Sequence, residues 1–140
     1  MKCVHLLIPA AGLGRRMGAS HNKLLLTLLD KPIIAWTLLS AEAAAAIGWI
    51  GLIYQPSDRA ALETWVSALG LSKPVEFIAG GETRQQSVYN GLQGLPGEAT
   101  QVLIHDGARC LATPDLFNRC ATALANYNGL IAAVQIGRAH

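Results

Sequence analysis

A glycine-rich segment with two adjacent arginines carries the residue types best suited to holding phosphate. It reads Pro9-Ala10-Ala11-Gly12-Leu13-Gly14-Arg15-Arg16-Met17 and follows an apolar run at residues 3–8. Small residues let backbone N–H groups approach an anion closely, and the arginines add permanent positive charge. Lys23 follows beside three leucines, so its stem can be buried while its ammonium group faces the same pocket. We therefore predict a phosphate-binding loop.

The loop does not match the two commonest nucleotide-binding motifs. A dinucleotide-binding GxGxxG fingerprint has glycine where Met17 stands, and the sequence contains no GxxxxGK[ST] run. An arginine pair suits a triphosphate, because attack on phosphorus concentrates charge on the equatorial oxygens and on the departing pyrophosphate. The alternative is that Arg15, Arg16 and Lys23 are ordinary solvated charges on the surface.

Asp106 is the candidate metal ligand. It follows a predicted strand and precedes Gly107 and Ala108, two small residues. A carboxylate in that place can hold Mg²⁺, or another divalent cation, against phosphate oxygens. We expect Arg109 to pair with Asp106 and orient it. The alternative is an aspartate that only caps a turn.

A second glycine pair opens a predicted helix in the segment Gly80-Gly81-Glu82-Thr83-Arg84-Gln85-Gln86-Ser87. Exposed N–H groups at such a helix start can bind an anion or the edge of a nucleobase. Arg84 and Ser87 lie three positions apart and therefore share one helix face. The alternative is an ordinary turn with a good cap.

Alternating short apolar runs and amphipathic stretches must position these loops, and they predict an α/β fold with an open, mostly parallel sheet. We predict strands at residues 3–8, 49–54, 75–78, 101–105 and 130–134. We predict helices at residues 32–46, 58–69, 83–94 and 114–126, with Ser57, Thr83 and Thr113 as caps. The long connection over residues 10–31 is expected to fold over the sheet edge as a binding loop. In a parallel sheet the three candidate loops meet at the carboxyl edge.

Composition narrows the class of protein. The 140 residues, 51% of them hydrophobic, suffice for one domain with a substantial core. A net charge of +2 does not suggest a nucleic acid as the main partner. Three cysteines without CxxC spacing suggest neither disulfides nor zinc. Without a leader pattern or a membrane-length apolar run, we expect a cytoplasmic protein.

Taken together, the motifs resemble those of the 2-C-methyl-D-erythritol 4-phosphate cytidylyltransferase family. The likeness rests on the first glycine loop, on Lys23, on the segment from Gly80 to Val88 and on the run Val102-Leu103-Ile104-His105-Asp106-Gly107-Ala108-Arg109. The resemblance implies a Rossmann-like fold of the nucleotide-diphospho-sugar transferase type. It also implies transfer of a cytidylyl group from CTP to 2-C-methyl-D-erythritol 4-phosphate, with Mg²⁺ as cofactor.

The resemblance also implies roles for individual residues. Arg16 and Lys23 match the pair that stabilises the transition state, and Asp106 matches the metal carboxylate. The predicted nucleotide-binding set is Pro9, Ala10, Ala11, Gly12, Gly14, Gly81, Arg84, Ser87, Asp106, Gly107 and Arg109.

Two departures from the family pattern shape the expectation. Asn22 stands where the family commonly has proline before the lysine, and from Gln135 the chain no longer follows the pattern. We therefore expect one nucleotide-binding domain over residues 1–140, shortened at its C-terminal end, with a divergent tail at residues 135–140. The family is homodimeric, and its dimerisation arm is expected to be absent here. Alternatives are a non-catalytic CTP-binding or self-associating fragment and a transferase for another sugar or alditol phosphate.

Overall fold

A computed structural model of the protein describes residues 3–12, 22–135 and 137. Within these residues, strands and helices alternate along most of the chain, as expected for an α/β domain. In chain order they are β1 (Val4–Pro9), β2 (Thr27–Leu28), β3 (Lys31–Pro32), α1 (Ile33–Ala43), β4 (Ile47–Tyr54), α2 (Arg59–Leu69), β5 (Val75–Ala79), α3 (Arg84–Gln93), β6 (Val102–Ile104) and α4 (Pro114–Leu124). Short 3₁₀ turns lie at Lys23–Leu25 and Pro56–Asp58.

The central sheet has four parallel strands in the order β5-β4-β1-β6. The two middle strands, β1 and β4, are mostly buried along their length. Parallel strands covered on both faces are usually continuous apolar runs, which explains the sequences VHLLIP and IGWIGLIY. The predicted open parallel sheet is confirmed.

Helices cover both faces of this sheet. On one face, Leu6 and Leu52 belong to a buried cluster that includes side chains of α1, α2 and α4. On the other face, Leu7 and Ile53 lie against α3, where Gly91 allows the helix backbone to come close. Adjacent residues of a strand point to opposite faces, so β1 contributes to both halves of the core. None of the described helices has the length and apolar character needed to cross a membrane.

Hydrogen bonds between backbone groups continue past the carboxyl ends of the strands. They run from Ala10 N–H to Ile53 O (2.8 Å), from Gly80 N–H to Tyr54 O (2.8 Å) and from Gly107 N–H to Pro9 O (3.1 Å). Each bond joins the first residues of one loop to the end of a neighbouring strand. The three candidate loops are therefore tied to one edge of the sheet, as predicted.

The predicted strand at residues 130–134 is wrong. These residues form no ladder with β6, and Ile131 and Val134 are 90% and 83% exposed. A parallel strand is stabilised when both of its faces are buried, and among the described residues nothing covers this segment in that way. An apolar, β-branched run is therefore not sufficient to form a strand here.

Local features near the helices are partly as predicted. Thr83 and Thr113 accept hydrogen bonds from the N–H groups of Gln86 (3.0 Å) and Leu116 (3.2 Å), which confirms both caps. The predicted cap at Ser57 is wrong, because a 3₁₀ turn precedes α2 and the helix begins at Arg59. The antiparallel pair of β2 and β3 was not predicted within the long connection over residues 10–31.

We predict that Gly91→Val destabilises the fold. A β-carbon at Gly91 would lie 2.6 Å from Ile53 Cδ1 and 3.2 Å from Leu7 Cδ1, and both of those side chains are fully buried. Overpacking of this kind costs about 1–3 kcal/mol of unfolding free energy. Urea denaturation measures the change. The control is Gly97→Ala, where an added β-carbon meets no described atom within 4 Å; equal urea midpoints for the two variants would contradict this packing.

Candidate functional site

The predicted site residues that the structure describes lie at the carboxyl edge of the sheet, on four segments. Pro9, Ala10, Ala11 and Gly12 end β1 or follow it, Lys23 begins a 3₁₀ turn, Gly81, Arg84 and Ser87 surround the start of α3, and Asp106, Gly107 and Arg109 follow β6. Gly14 and Arg16 lie outside the described residues, together with Arg15 and Met17.

The start of the first glycine loop is anchored at two carbonyl groups. Ala10 is buried, and its carbonyl oxygen accepts a hydrogen bond from Asn22 Nδ2 at 2.6 Å. The carbonyl oxygen of Ala11 accepts a hydrogen bond from Gln55 Nε2 at 2.8 Å. Gly12, in contrast, is exposed, and a β-carbon placed there would meet no described atom within 4 Å. The first residues of the loop are therefore held in place, and among the described residues none fills the space beside the Gly12 backbone.

Lys23 lies between two buried residues. Asn22, which is 1% exposed, accepts a hydrogen bond at Oδ1 from Leu24 N–H (3.0 Å) and donates through Nδ2 to Asp58 Oδ2 (3.1 Å). Leu24 is 3% exposed, whereas Lys23 itself is half-buried. The backbone of Lys23 is thus held in place on both sides, and the side chain extends from this fixed position.

The buried side chain of Ser87 holds the second glycine loop in place. Its side chain is 3% exposed, and its Oγ accepts a hydrogen bond from Gly81 N–H at 2.9 Å. A β-carbon at Gly80 would lie 2.7 Å from Ala11 Cβ and 2.9 Å from Ser87 Oγ. Only a glycine fits this close approach between the first and second loops.

Asp106 lies between two arginines. Arg84 Nη2 donates to Asp106 Oδ1 at 2.5 Å, and Arg109 Nε donates to Asp106 Oδ2 at 3.3 Å. The expected pairing with Arg109 is confirmed, and Arg84, expected only to line the nucleotide site, joins it. Partial burial acts to raise the pKa of Asp106, but the hydrogen bond and charge of Arg84, followed by those of Arg109, outweigh it. The pKa therefore lies below its ordinary value.

Gly107 connects the Asp106 loop with the turn that carries Lys23. A β-carbon at Gly107 would lie 2.9 Å from Leu24 Cδ1 and 3.0 Å from Ile34 Cδ1, so this contact requires a residue without a side chain. The carbonyl oxygen of Gly107 also accepts a hydrogen bond from Thr37 Oγ1 at 2.7 Å. The spacing of Lys23 from Asp106 thus depends on buried contacts among α1, the 3₁₀ turn and this loop.

The carboxylate oxygens of Asp106 are suitable ligands for a hard divalent cation that phosphate oxygens also bind. In the part of the chain that the structure describes, no three His, Cys, Asp or Glu side chains gather into a metal-binding group. Mg²⁺ is usually held by one or two carboxylates together with substrate phosphates. An ionised carboxylate offers about four acceptor positions, and Arg84 and Arg109 use one on each oxygen. Asp106 therefore retains capacity for an ion.

Sequence reasoning missed the residues that support these loops. Asn22, Gln55, Asp58 and Thr37 each form a side-chain hydrogen bond to a loop residue or to one another. Asn22 had a visible signal, because a polar residue directly before three leucines needs a partner if it is buried. For the other three, the partner is distant in sequence, and no local pattern indicates it.

The sequence of this chain matches proteins of one known family. A sequence model described as "IspD: 2-C-methyl-D-erythritol 4-phosphate cytidylyltransferase" matches residues 4–139, past Val134, where we expected the likeness to end. A protein of that name from Acaryochloris marina is 63% identical over 133 residues, and one from Thermosynechococcus vestitus is 65% identical over 133 residues. These alignments cover 95% of this chain and 56% and 57% of the relatives, so the chain spans little more than half of their length.

Solved structures agree with the sequence comparison. The crystal structure of 4-diphosphocytidyl-2C-methyl-D-erythritol synthase from Anaerococcus prevotii superposes with a TM-score of 0.77 at 25% identity, covering 89% of this chain and 52% of that one. The bifunctional IspDF of Campylobacter jejuni gives a TM-score of 0.69 at 25% identity and covers 88% of this chain and 31% of that one. The sheet and its flanking helices are therefore those of the matched family.

We predict that Arg84→Gln raises the pKa of Asp106 towards its ordinary value near 3.8. The depressed pKa means that ionised Asp106 stabilises the fold. That contribution is complete above the ordinary pKa and is lost as the pH falls through the lower pKa of the folded state. A carboxyl ¹³C NMR titration measures the shift. Arg119→Gln, which removes an exposed arginine 3.9 Å from Asp115, is the control; an equal effect of both variants on Asp106 would contradict a specific pairing.

Proposed function

The chain belongs to the 2-C-methyl-D-erythritol 4-phosphate cytidylyltransferase family, and from that premise we propose that it binds CTP and transfers the cytidylyl group to 2-C-methyl-D-erythritol 4-phosphate. One observation carries the proposal. The segments that carry Gly12, Gly81 and Asp106 lie at one edge of the sheet, where backbone hydrogen bonds tie their first residues to neighbouring strand ends. The Lys23 turn is tied to the same edge by the hydrogen bond from Asn22 Nδ2 to Ala10 O. Ligands of open parallel sheets bind at this edge.

The proposed reaction is an in-line substitution at the α-phosphorus of CTP. A phosphate oxygen of the acceptor forms a bond to that phosphorus, and the bond from the α-phosphorus to the oxygen that bridges it to the β-phosphorus breaks. The electron pair leaves with that oxygen, so the products are pyrophosphate and a cytidine diphosphate ester. Negative charge grows on the leaving pyrophosphate, and cationic groups positioned there lower the barrier.

We assign that electrostatic role to Lys23 and Arg16. The position of Lys23 supports the assignment, because its half-buried stem emerges between Asn22 and Leu24 at the edge where the glycine loop begins. Arg16 belongs to the same sequence segment as that loop. A lysine or arginine that contacts the leaving group stabilises the transition state more than the bound substrate, and therefore raises kcat.

We assign nucleotide binding to the backbone of the two glycine loops. The backbone of Gly12 carries no side chain and is exposed, so it can approach a phosphate closely, and Ser87 orients the peptide of Gly81. A bound Mg²⁺ would be held by Asp106 and would supply charge neutralisation to the triphosphate. Arg84 and Arg109 keep this carboxylate ionised and oriented between two loops.

Steady-state assays test the proposal directly. With CTP, 2-C-methyl-D-erythritol 4-phosphate and Mg²⁺, we expect release of one pyrophosphate per cytidylyl group transferred. Calorimetric binding of CTP without any turnover would instead support the alternative of a non-catalytic nucleotide-binding unit. Turnover only with a different sugar or alditol phosphate would identify a related transferase, and the absence of Mg²⁺-dependent CTP binding would overturn all of these assignments.

We predict that Lys23→Ala and Arg16→Ala lower kcat on the order of a hundredfold, as expected when one charge-stabilising group is removed. The KM for CTP should change far less, since these groups act mainly on the transition state. Lys31→Ala is the matched control, because Lys31 pairs with Asp30 at 3.0 Å and lies over the Trp36 ring. Equal losses in kcat and in CTP affinity would show that Lys23 and Arg16 merely bind the ground state.

A further inference from the structure

We propose that Asn22 and Asp58 are positioning residues that act through Lys23. The inference rests on the proposed function for its kinetic part, and its structural part stands on the contacts alone. Asn22 touches the loop after β1, the turn of Lys23 and the segment after β4, and so it joins three parts of the sheet edge. Neither residue was assigned a role by its sequence pattern.

Because Asn22 is buried, its hydrogen bonds determine how its side chain is oriented. With 1% of its surface exposed, Asn22 has almost no access to water. Both amide hydrogens are used, towards Ala10 O at 2.6 Å and Asp58 Oδ2 at 3.1 Å, and the amide oxygen accepts from Leu24 N–H at 3.0 Å. A buried amide left without such partners costs free energy, so these contacts select one orientation of the side chain.

The same contacts fix the backbone on both sides of Lys23. Asn22 caps the 3₁₀ turn through its side chain, and its carbonyl oxygen accepts from Leu25 N–H at 3.1 Å. Leu24 is held in turn by burial against the Gly107 loop. Because a lysine side chain is long and flexible, the precision of its ammonium group depends on how firmly its backbone is held.

Asp58 belongs to the hydrogen-bond network of Asn22. It precedes α2, where an aspartate commonly caps the helix, but its side chain forms no capping hydrogen bond there. The residue is 7% exposed, and its carboxylate accepts the hydrogen bond from Asn22. Its backbone N–H donates to Gln55 O at 2.9 Å, and Gln55 in turn holds Ala11. The segment after β4 therefore braces the Lys23 turn and the first glycine loop together.

Three variants and a control test the inference. Asn22→Ala removes all three side-chain hydrogen bonds. Asp58→Ala removes the acceptor, whereas Asp58→Asn keeps an oxygen that can accept from Asn22 Nδ2. The control Asn118→Ala also removes a side-chain amide that accepts from a backbone N–H, that of Ala46 at 2.9 Å, beside the amino end of β4 and away from the site. Thermal unfolding identifies any variant that does not fold. If Asn22→Ala does not fold, the comparison of Asp58→Ala with Asp58→Asn takes its place.

The first measurement is amide hydrogen exchange of Leu24. We expect Asn22→Ala to lower the protection of this N–H by about tenfold, the value of one ordinary hydrogen bond. Asp58→Asn should preserve protection, and Asn118→Ala should leave it unchanged. Unchanged protection in Asn22→Ala overturns the inference whether or not the protein turns over substrate.

The second measurement is a double-mutant cycle on kcat. We expect Asn22→Ala to lower kcat by up to about a hundredfold, since a displacement of about 1 Å in a catalytic group has that effect. In a Lys23→Ala background, Asn22→Ala should have little further effect. Independent, multiplying losses would overturn the inference. If the unaltered protein shows no turnover, the proposed activity fails, and the hydrogen-exchange comparison at Leu24 decides the structural part of the inference by itself.

Discussion

Backbone hydrogen bonds that run on beyond the strands hold the candidate site together. In a parallel sheet, every strand ends at the same edge, but the loops that follow are free to diverge unless something joins them. Here Ala10 remains bonded to the end of β4, Gly80 to the same strand end, and Gly107 to the end of β1. The fixed geometry of the sheet is thereby extended into the first residues of each loop, where a ligand can use it.

The electrostatics of the site depend on this geometry. Asp106 is partly desolvated at the sheet edge, which alone would favour its neutral form, and two guanidinium groups reverse that preference. The carboxylate of Asp106 is therefore ionised, and it already accepts hydrogen bonds from two arginines. If the proposed function holds, a divalent cation that arrives with a triphosphate would meet an anion that Arg84 and Arg109 already orient.

Sequence patterns located the candidate loops more completely than the residues that support them. Glycine pairs, adjacent charges and an aspartate after an apolar run are local patterns, and they located the three loops and the parallel sheet. Asn22 and Asp58 could not be paired in advance, since 36 residues separate them. The strand expected at residues 130–134 failed for a related reason, because strand formation depends on neighbours that a local pattern does not contain.

The absent side chain at Gly107 has an evolutionary consequence. Leu24 and Ile34 reach within about 3 Å of the place a β-carbon would take there, so three residues from separate parts of the chain share one small volume. A larger residue at any one of these positions must be matched by a smaller one at another. We therefore expect positions 24, 34 and 107 to vary together among related sequences, and a designer who enlarges one must change its neighbours as well.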